Sequence, residues 1–229
     1  MLRYLRYLRR KIIENSINTV FIHIGKCGGS TVREELRRNN IKFIEKHLTK
    51  VKFRKDKKYI IVIRNPIARF VSAFNWRYKL VVEDGIQENK YPGEKKLLEK
   101  YKTANNLAES IYASDTKPVL DFKKEEFYIH HITEDIDYYI GEFLSECRRE
   151  NIIAVLVTET LNDDMQLHFD IEITSHIKEN KQDYLLSELA IRNLTRYFEK
   201  DFKCIDTLNK MGLLTTGQFE KLSEKQRFG

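Results

Sequence analysis

Three short apolar runs stand out along an otherwise amphipathic chain: Thr19–Ile24 (Thr-Val-Phe-Ile-His-Ile), Tyr59–Ile63 (Tyr-Ile-Ile-Val-Ile) and Ile152–Val157. Each is rich in β-branched or aromatic residues and too short for a helix, which is the pattern of a strand buried on both faces. A weaker run at Ile41–Ile44 is a candidate for another strand. Between the runs, apolar residues return every three or four positions. This spacing predicts helices from Ser30 to about Asn39 and over Ile67–Val82, with Pro66 in the first turn of the latter. Further helical patterns cover Lys95–Tyr101, Ala104–Ala113, Asp137–Arg149 and Asp163–Phe169. A long terminal helix is expected at Leu185–Phe198, and Glu83–Gly93 and Glu179–Gln182 read as loops. Strands alternating with helices imply an α/β fold, a three-layer sandwich in which helices flank a central, mostly parallel sheet.

Length and composition bound this picture. The 229 residues suit one α/β domain spanning 1–229, with residues 1–17 as a basic helix ahead of the core. With 41% apolar and 33% charged residues the chain has the make-up of a globular protein. The balance of 41 Lys+Arg against 34 Asp+Glu leaves +7, which favours an anionic partner without saying which. In residues 2–12, Leu2, Leu5, Leu8 and Ile12 alternate with basic residues, so this amphipathic helix either packs on the domain or rests on an acidic membrane surface. No run is long enough to span a bilayer, and the interrupted start does not read as a secretory signal. Three scattered cysteines (27, 147, 204) offer no disulfide framework and fit a reducing interior. There is neither zinc-finger spacing nor an RNA-binding aromatic strand, so a nucleic-acid partner is not expected.

The candidate chemistry begins where the first strand ends. Gly25-Lys26-Cys27-Gly28-Gly29-Ser30-Thr31 is a glycine-rich turn between strand and helix. Bare glycines let backbone N–H groups approach an anion, the helix start adds positive potential, and the hydroxyls add donors. Lys26 adds a point charge but precedes the glycine pair, unlike the order Gly-x-x-x-x-Gly-Lys-[Ser/Thr] of nucleoside triphosphatases. A second anion element follows Tyr59–Ile63. Arg64 stands at the strand end, where its guanidinium can grip a phosphate through two bonds, and Ser72 lies about two helical turns further on.

Residues 21–31, Phe-Ile-His-Ile-Gly-Lys-Cys-Gly-Gly-Ser-Thr, resemble the 5′-phosphosulfate loop of the carbohydrate sulfotransferases, with Gly25 in place of the usual Pro and Cys27 in place of the usual Thr. The stretch Arg64-Asn65-Pro66-Ile67-Ala68-Arg69-Phe70-Val71-Ser72-Ala73-Phe74 resembles that family's 3′-phosphate motif, with Asn65 in the Asp place. Fainter similarity runs through Val157–Asp164, His176–Asn180 and Tyr197–Phe202. The resemblance implies a P-loop-like fold and transfer of a sulfuryl group from 3′-phosphoadenosine-5′-phosphosulfate (PAPS) to a hydroxyl or amine, leaving 3′-phosphoadenosine-5′-phosphate (PAP), with no metal required. It implies Lys26 at the leaving phosphate, backbone donors from Cys27, Gly28, Gly29, Ser30 and Thr31 around the 5′ side, and Arg64 with Ser72 on the 3′-phosphate. A carbohydrate is the expected acceptor. The family's Golgi members carry a membrane anchor. Here the basic start runs straight into the first strand, so a soluble, cytoplasmic bacterial or viral form is expected rather than a lumenal domain.

A base must take the acceptor's proton. In several members of that family a His or Glu between the two phosphate motifs does so. There this chain has Glu45 and His47, and His47 is preferred because imidazole titrates near neutral pH. His130 and His131 are rivals, although adjacent side chains ordinarily point apart. Trp76, Arg77 and Tyr78 are candidates for the acceptor groove, although core packing is the preferred role for Trp76, and Glu159 is a supporting site residue. Two other functions compete. Cys27-x5-Arg33 matches the loop of tyrosine-type phosphatases, in which Cys27 would be the nucleophile, though Lys26 and Glu34 depart from that pattern. A non-enzymatic basic module would bind polyanions without adenosine specificity.

Overall fold

The computed structural model describes residues 16–114, 117–174 and 185–225. The basic helix expected at 2–12 and the segments at 176–180 and 179–182 fall outside these residues.

β1 (Thr19–His23), β2 (Ile44–His47), β3 (Lys58–Ile63) and β4 (Ile152–Val157) form one sheet in the order β2-β1-β3-β4. All three strand pairings are parallel. In β1 every residue from Val20 to His23 is buried, and in β3 every residue from Tyr59 to Ile63. Successive strand residues face opposite sides of a sheet, so unbroken burial means that both faces are covered. That is why these strands are continuous apolar runs, and it gives the three-layer α/β arrangement expected from the sequence.

Nine α-helices lie among the described residues: α1 (Gly29–Arg38), α2 (Pro66–Tyr78), α3 (Glu94–Tyr101), α4 (Ala104–Glu109), α5 (Ile136–Glu146), α6 (Leu161–Phe169), α7 (Glu188–Tyr197), α8 (Glu199–Lys210) and α9 (Thr216–Ser223). Apolar residues of α1, α5, α6, α8 and α9 join the sheet in one core. A second core, with no strand in it, unites α2, α3, α4 and α7 around Phe70, Phe74, Leu107 and Phe198. None of the described helices is long and apolar enough to cross a membrane.

Several expected boundaries move, each for a local reason. The candidate strand at Ile41–Ile44 forms instead at Ile44–His47. α1 ends in a left-handed residue, Asn40 (φ 56), and the Ile41 N–H closes back onto the Leu36 carbonyl at 2.9 Å. Ile41 is thereby used as the helix's closing residue, leaving the strand to start later. The helix expected to reach Val82 ends at Tyr78 and continues as a π-helical turn over Lys79–Glu83. The helix expected over Ala104–Ala113 stops at Glu109. The helix expected as the terminal one is followed by α8 and α9, the latter opened by a Thr215/Gln218 capping box.

Candidate functional site

The chain leaves β1 at His23 and β3 at Ile63, and these neighbouring parallel strands pair His23 with Val62. The glycine-rich loop and Arg64 therefore emerge side by side at the same edge of the sheet. The sheet order reverses between these two strands, since β2 lies beyond β1 and β4 beyond β3. Such a reversal opens a crevice at the strand ends, the usual ligand position in open α/β sheets.

The loop is built for close approach. Lys26 and Gly28 both take left-handed backbone conformations (φ 68 and 74). Gly28 caps α1 with no side-chain hydrogen bond, and the first turn of α1 carries no acidic residue, so its positive end is not neutralised locally. Ser30 is exposed and Thr31 half-buried, both at the start of α1. Glycine at 29 is obligatory: a Cβ there would meet the His23 ring at 2.0 Å. At Gly25 a Cβ would lie 2.4 Å from His131 Nδ1, so this position too is closed to a larger residue unless the imidazole shifts. The buried Arg69 guanidinium ties this turn down by donating to the Gly25 carbonyl at 2.9 Å, to the His131 carbonyl at 2.8 Å and to the Glu134 carbonyl.

Lys26 Nζ lies 4.8 Å from the centre of the Trp76 ring. Trp76 is half-buried against this ammonium and belongs to neither core, which corrects the core-packing role expected for it. Cys27 is fully buried, and burial pushes its thiol up to about 12 against the opposing pull of Arg69 and Arg64. A nucleophilic thiolate needs the opposite environment.

Arg64 is partly exposed, with its Nε 3.5 Å from Glu159 Oε1 and without a hydrogen-bond partner. Burial raises the Glu159 carboxyl above its usual range, and Arg64 and the Asn65 N–H oppose that rise. Asn65 is bonded through both ends of its amide. Its Oδ1 caps α2 by accepting from the Ile67 and Ala68 N–H groups at 2.9 and 3.2 Å. Its Nδ2 donates to the carbonyls of Lys221, Leu222 and Glu224 at 2.8–3.2 Å, bonds that a carboxylate cannot make. Ser72 is half-buried on α2.

Four imidazoles gather beside the loop. The rings of His23 and His47 stack at 4.1 Å, His47 and His131 lie 6.1 Å apart, and His131 and His130 lie 4.0 Å apart. His23 Nδ1 donates to Glu45 Oε1 at 2.7 Å. Burial lowers its pKa to about 4, although the Glu45 bond works the other way. Glu45 also has Arg33 and Arg37 at 3.6 and 3.7 Å, so its charge is already engaged. His47 Nδ1 lies 2.9 Å from the His23 carbonyl. A carbonyl only accepts, so Nδ1 is the donor in this bond, and in a neutral ring Nε2 is then the acceptor. His130 and His131 share a side, contrary to expectation, because His131 adopts a left-handed backbone (φ 69) that breaks the alternation. Burial also lowers the pKa of His131, with His130 adding to the effect.

Two expected site residues lie elsewhere. Arg77 is buried in a double hydrogen bond to Glu94, at 2.9 and 2.6 Å, and belongs to the helical core rather than to an acceptor groove. Tyr78 stacks on Phe74 at 5.9 Å. His23 was missed by the sequence reading, and the signal for it was the histidine inside the β1 run itself. No protein-family model, no curated protein and no solved structure matches the chain.

Proposed function

We propose that the chain is a sulfotransferase with a P-loop-like donor site, using PAPS to sulfate a hydroxyl or amine, with a carbohydrate as the favoured acceptor. The observation that carries this reading is the placement of the glycine loop and Arg64 at one sheet edge on adjacent strands, where the order reverses. One element faces a 5′-phosphosulfate and the other a 3′-phosphate. Arg64 is partly exposed at that place, so its guanidinium can meet an anion there although its Nε already faces Glu159 at 3.5 Å.

In this reading the loop N–H groups, Ser30 and Thr31 hold the 5′ end, and Lys26 swings from the Trp76 face to neutralise charge on the departing phosphate. Arg64 and Ser72 hold the 3′-phosphate. His47 Nε2 takes the proton from the acceptor as its oxygen attacks sulfur, while the bond from His47 Nδ1 to the His23 carbonyl fixes the ring. Of the residues weighed as base, Glu45 is occupied by His23 and two arginines, and His131 packs over Gly25. The surplus of positive charge attracts the donor without requiring a nucleic-acid partner.

The test is a transfer assay with sulfur-labelled PAPS against a panel of sugars, lipids and small hydroxyl compounds. Wild type and Cys27→Ser are expected to transfer label to at least one acceptor, and Lys26→Met to lose most of the rate. A Cys27→Ser protein that loses hydrolysis of an aryl phosphate, with no label transfer in wild type, would instead establish the phosphatase reading.

A further inference from the structure

His130, His131 and Glu134 lie together beside the loop, and the donor site described above uses none of them. Each offers one ligand atom, and these atoms all lie within 4.8 Å of one another. Both histidines are largely buried, at 8% and 9% exposure. Buried side-chain nitrogens are ordinarily hydrogen-bonded, yet His131 Nδ1 has no such partner. His131 also holds a left-handed backbone (φ 69) that ordinary residues avoid, which is the kind of local strain found at functional positions. Glu134 is oriented as ligating carboxylates are, accepting from the Tyr128 hydroxyl at 2.6 Å and from the His131 N–H at 2.8 Å.

Two imidazoles and a carboxylate are the donor set that takes zinc or another first-row divalent ion, leaving at least one coordination position open. We propose that His130, His131 and Glu134 form a divalent transition-metal site. Its position gives it a structural consequence. The His131 ring rests on Gly25, and Arg69 bonds both the Gly25 carbonyl and the His131 carbonyl. An ion here would brace the 128–134 segment against the glycine-rich loop. The site stands whether or not the chain transfers sulfate.

Tag-free protein, stripped with a chelator, is titrated with Zn2+ by calorimetry and with Co2+ by visible absorption. One equivalent should bind, and Zn2+ should raise the melting temperature. His130→Ala and Glu134→Gln, with native helix content verified by circular dichroism, should each weaken binding by about a hundredfold or more, whereas His168→Ala on the exposed face of α6 should not. X-ray absorption of the zinc-loaded wild type should show nitrogen and oxygen neighbours only, a readout that does not depend on the variants folding. Absence of stoichiometric binding, undiminished binding in both folded variants, or a sulfur shell from the cysteines would each overturn the site.

Discussion

His47 shows how much of this chemistry rests on one hydrogen bond. Its Nδ1 is committed to the His23 carbonyl at 2.9 Å, which leaves Nε2 as the acceptor. His47→Gln keeps a donor for that carbonyl but removes the proposed base, so on this proposal the rate of transfer should fall by about a hundredfold to ten-thousandfold while PAP binding is unchanged. Steady-state kinetics beside a binding titration separate the two effects, and equal loss in both would move His47 from proton transfer to donor binding. Neighbouring His23 has a different task. Its ring fills the space that a Cβ at Gly29 would take, so the imidazole shapes the loop from beneath.

At the scale of elements, the loop and Arg64 are held in register by residues that touch no expected ligand. Asn65 caps α2 with its oxygen and fastens the end of α9 with its nitrogen. Asn65→Asp retains the cap but turns an anionic oxygen toward three carbonyls. A loss of about 1–3 kcal/mol in denaturant unfolding is expected, although Asp is the residue the resembled family carries there. An unchanged midpoint would remove Asn65 from the account of how the C-terminal helices dock. Such elements differ in how plainly the sequence announces them. β1 and β3 were legible because burial on both faces leaves uninterrupted apolar runs, β4 because its run is apolar throughout although Ile153 is exposed, and the loop because its close contacts leave no room for side chains. α8 and α9 were overlooked although Ile205 and Leu208 keep helical spacing and Thr215 stands three residues before Gln218. The gathering of His23, His47, His130 and His131 was beyond local reading, because it depends on strand pairing and on one left-handed residue far along the chain.

For the whole molecule, the buried His23 imidazole couples folding to pH. His23 is held neutral in the fold, with its pKa lowered from 6.5 to about 4. Between those values the unfolded chain binds the extra proton, so this residue's contribution to stability rises with pH from about 4 and is complete above about 6.5. The difference in unfolding free energy between wild type and His23→Asn should therefore shift toward wild type across that window, by on the order of 3 kcal/mol. Parallel curves for the two proteins would mean that His23 does not titrate on unfolding. The central claim is that one adenosine bisphosphate bridges two strand ends, and it is tested most directly by calorimetric titration of PAP and AMP into wild type and Arg64→Ala. PAP should bind wild type far more tightly than AMP does, and Arg64→Ala should bring the two ligands close together. Equal affinity of wild type for both, or no binding of PAP at all, would contradict it.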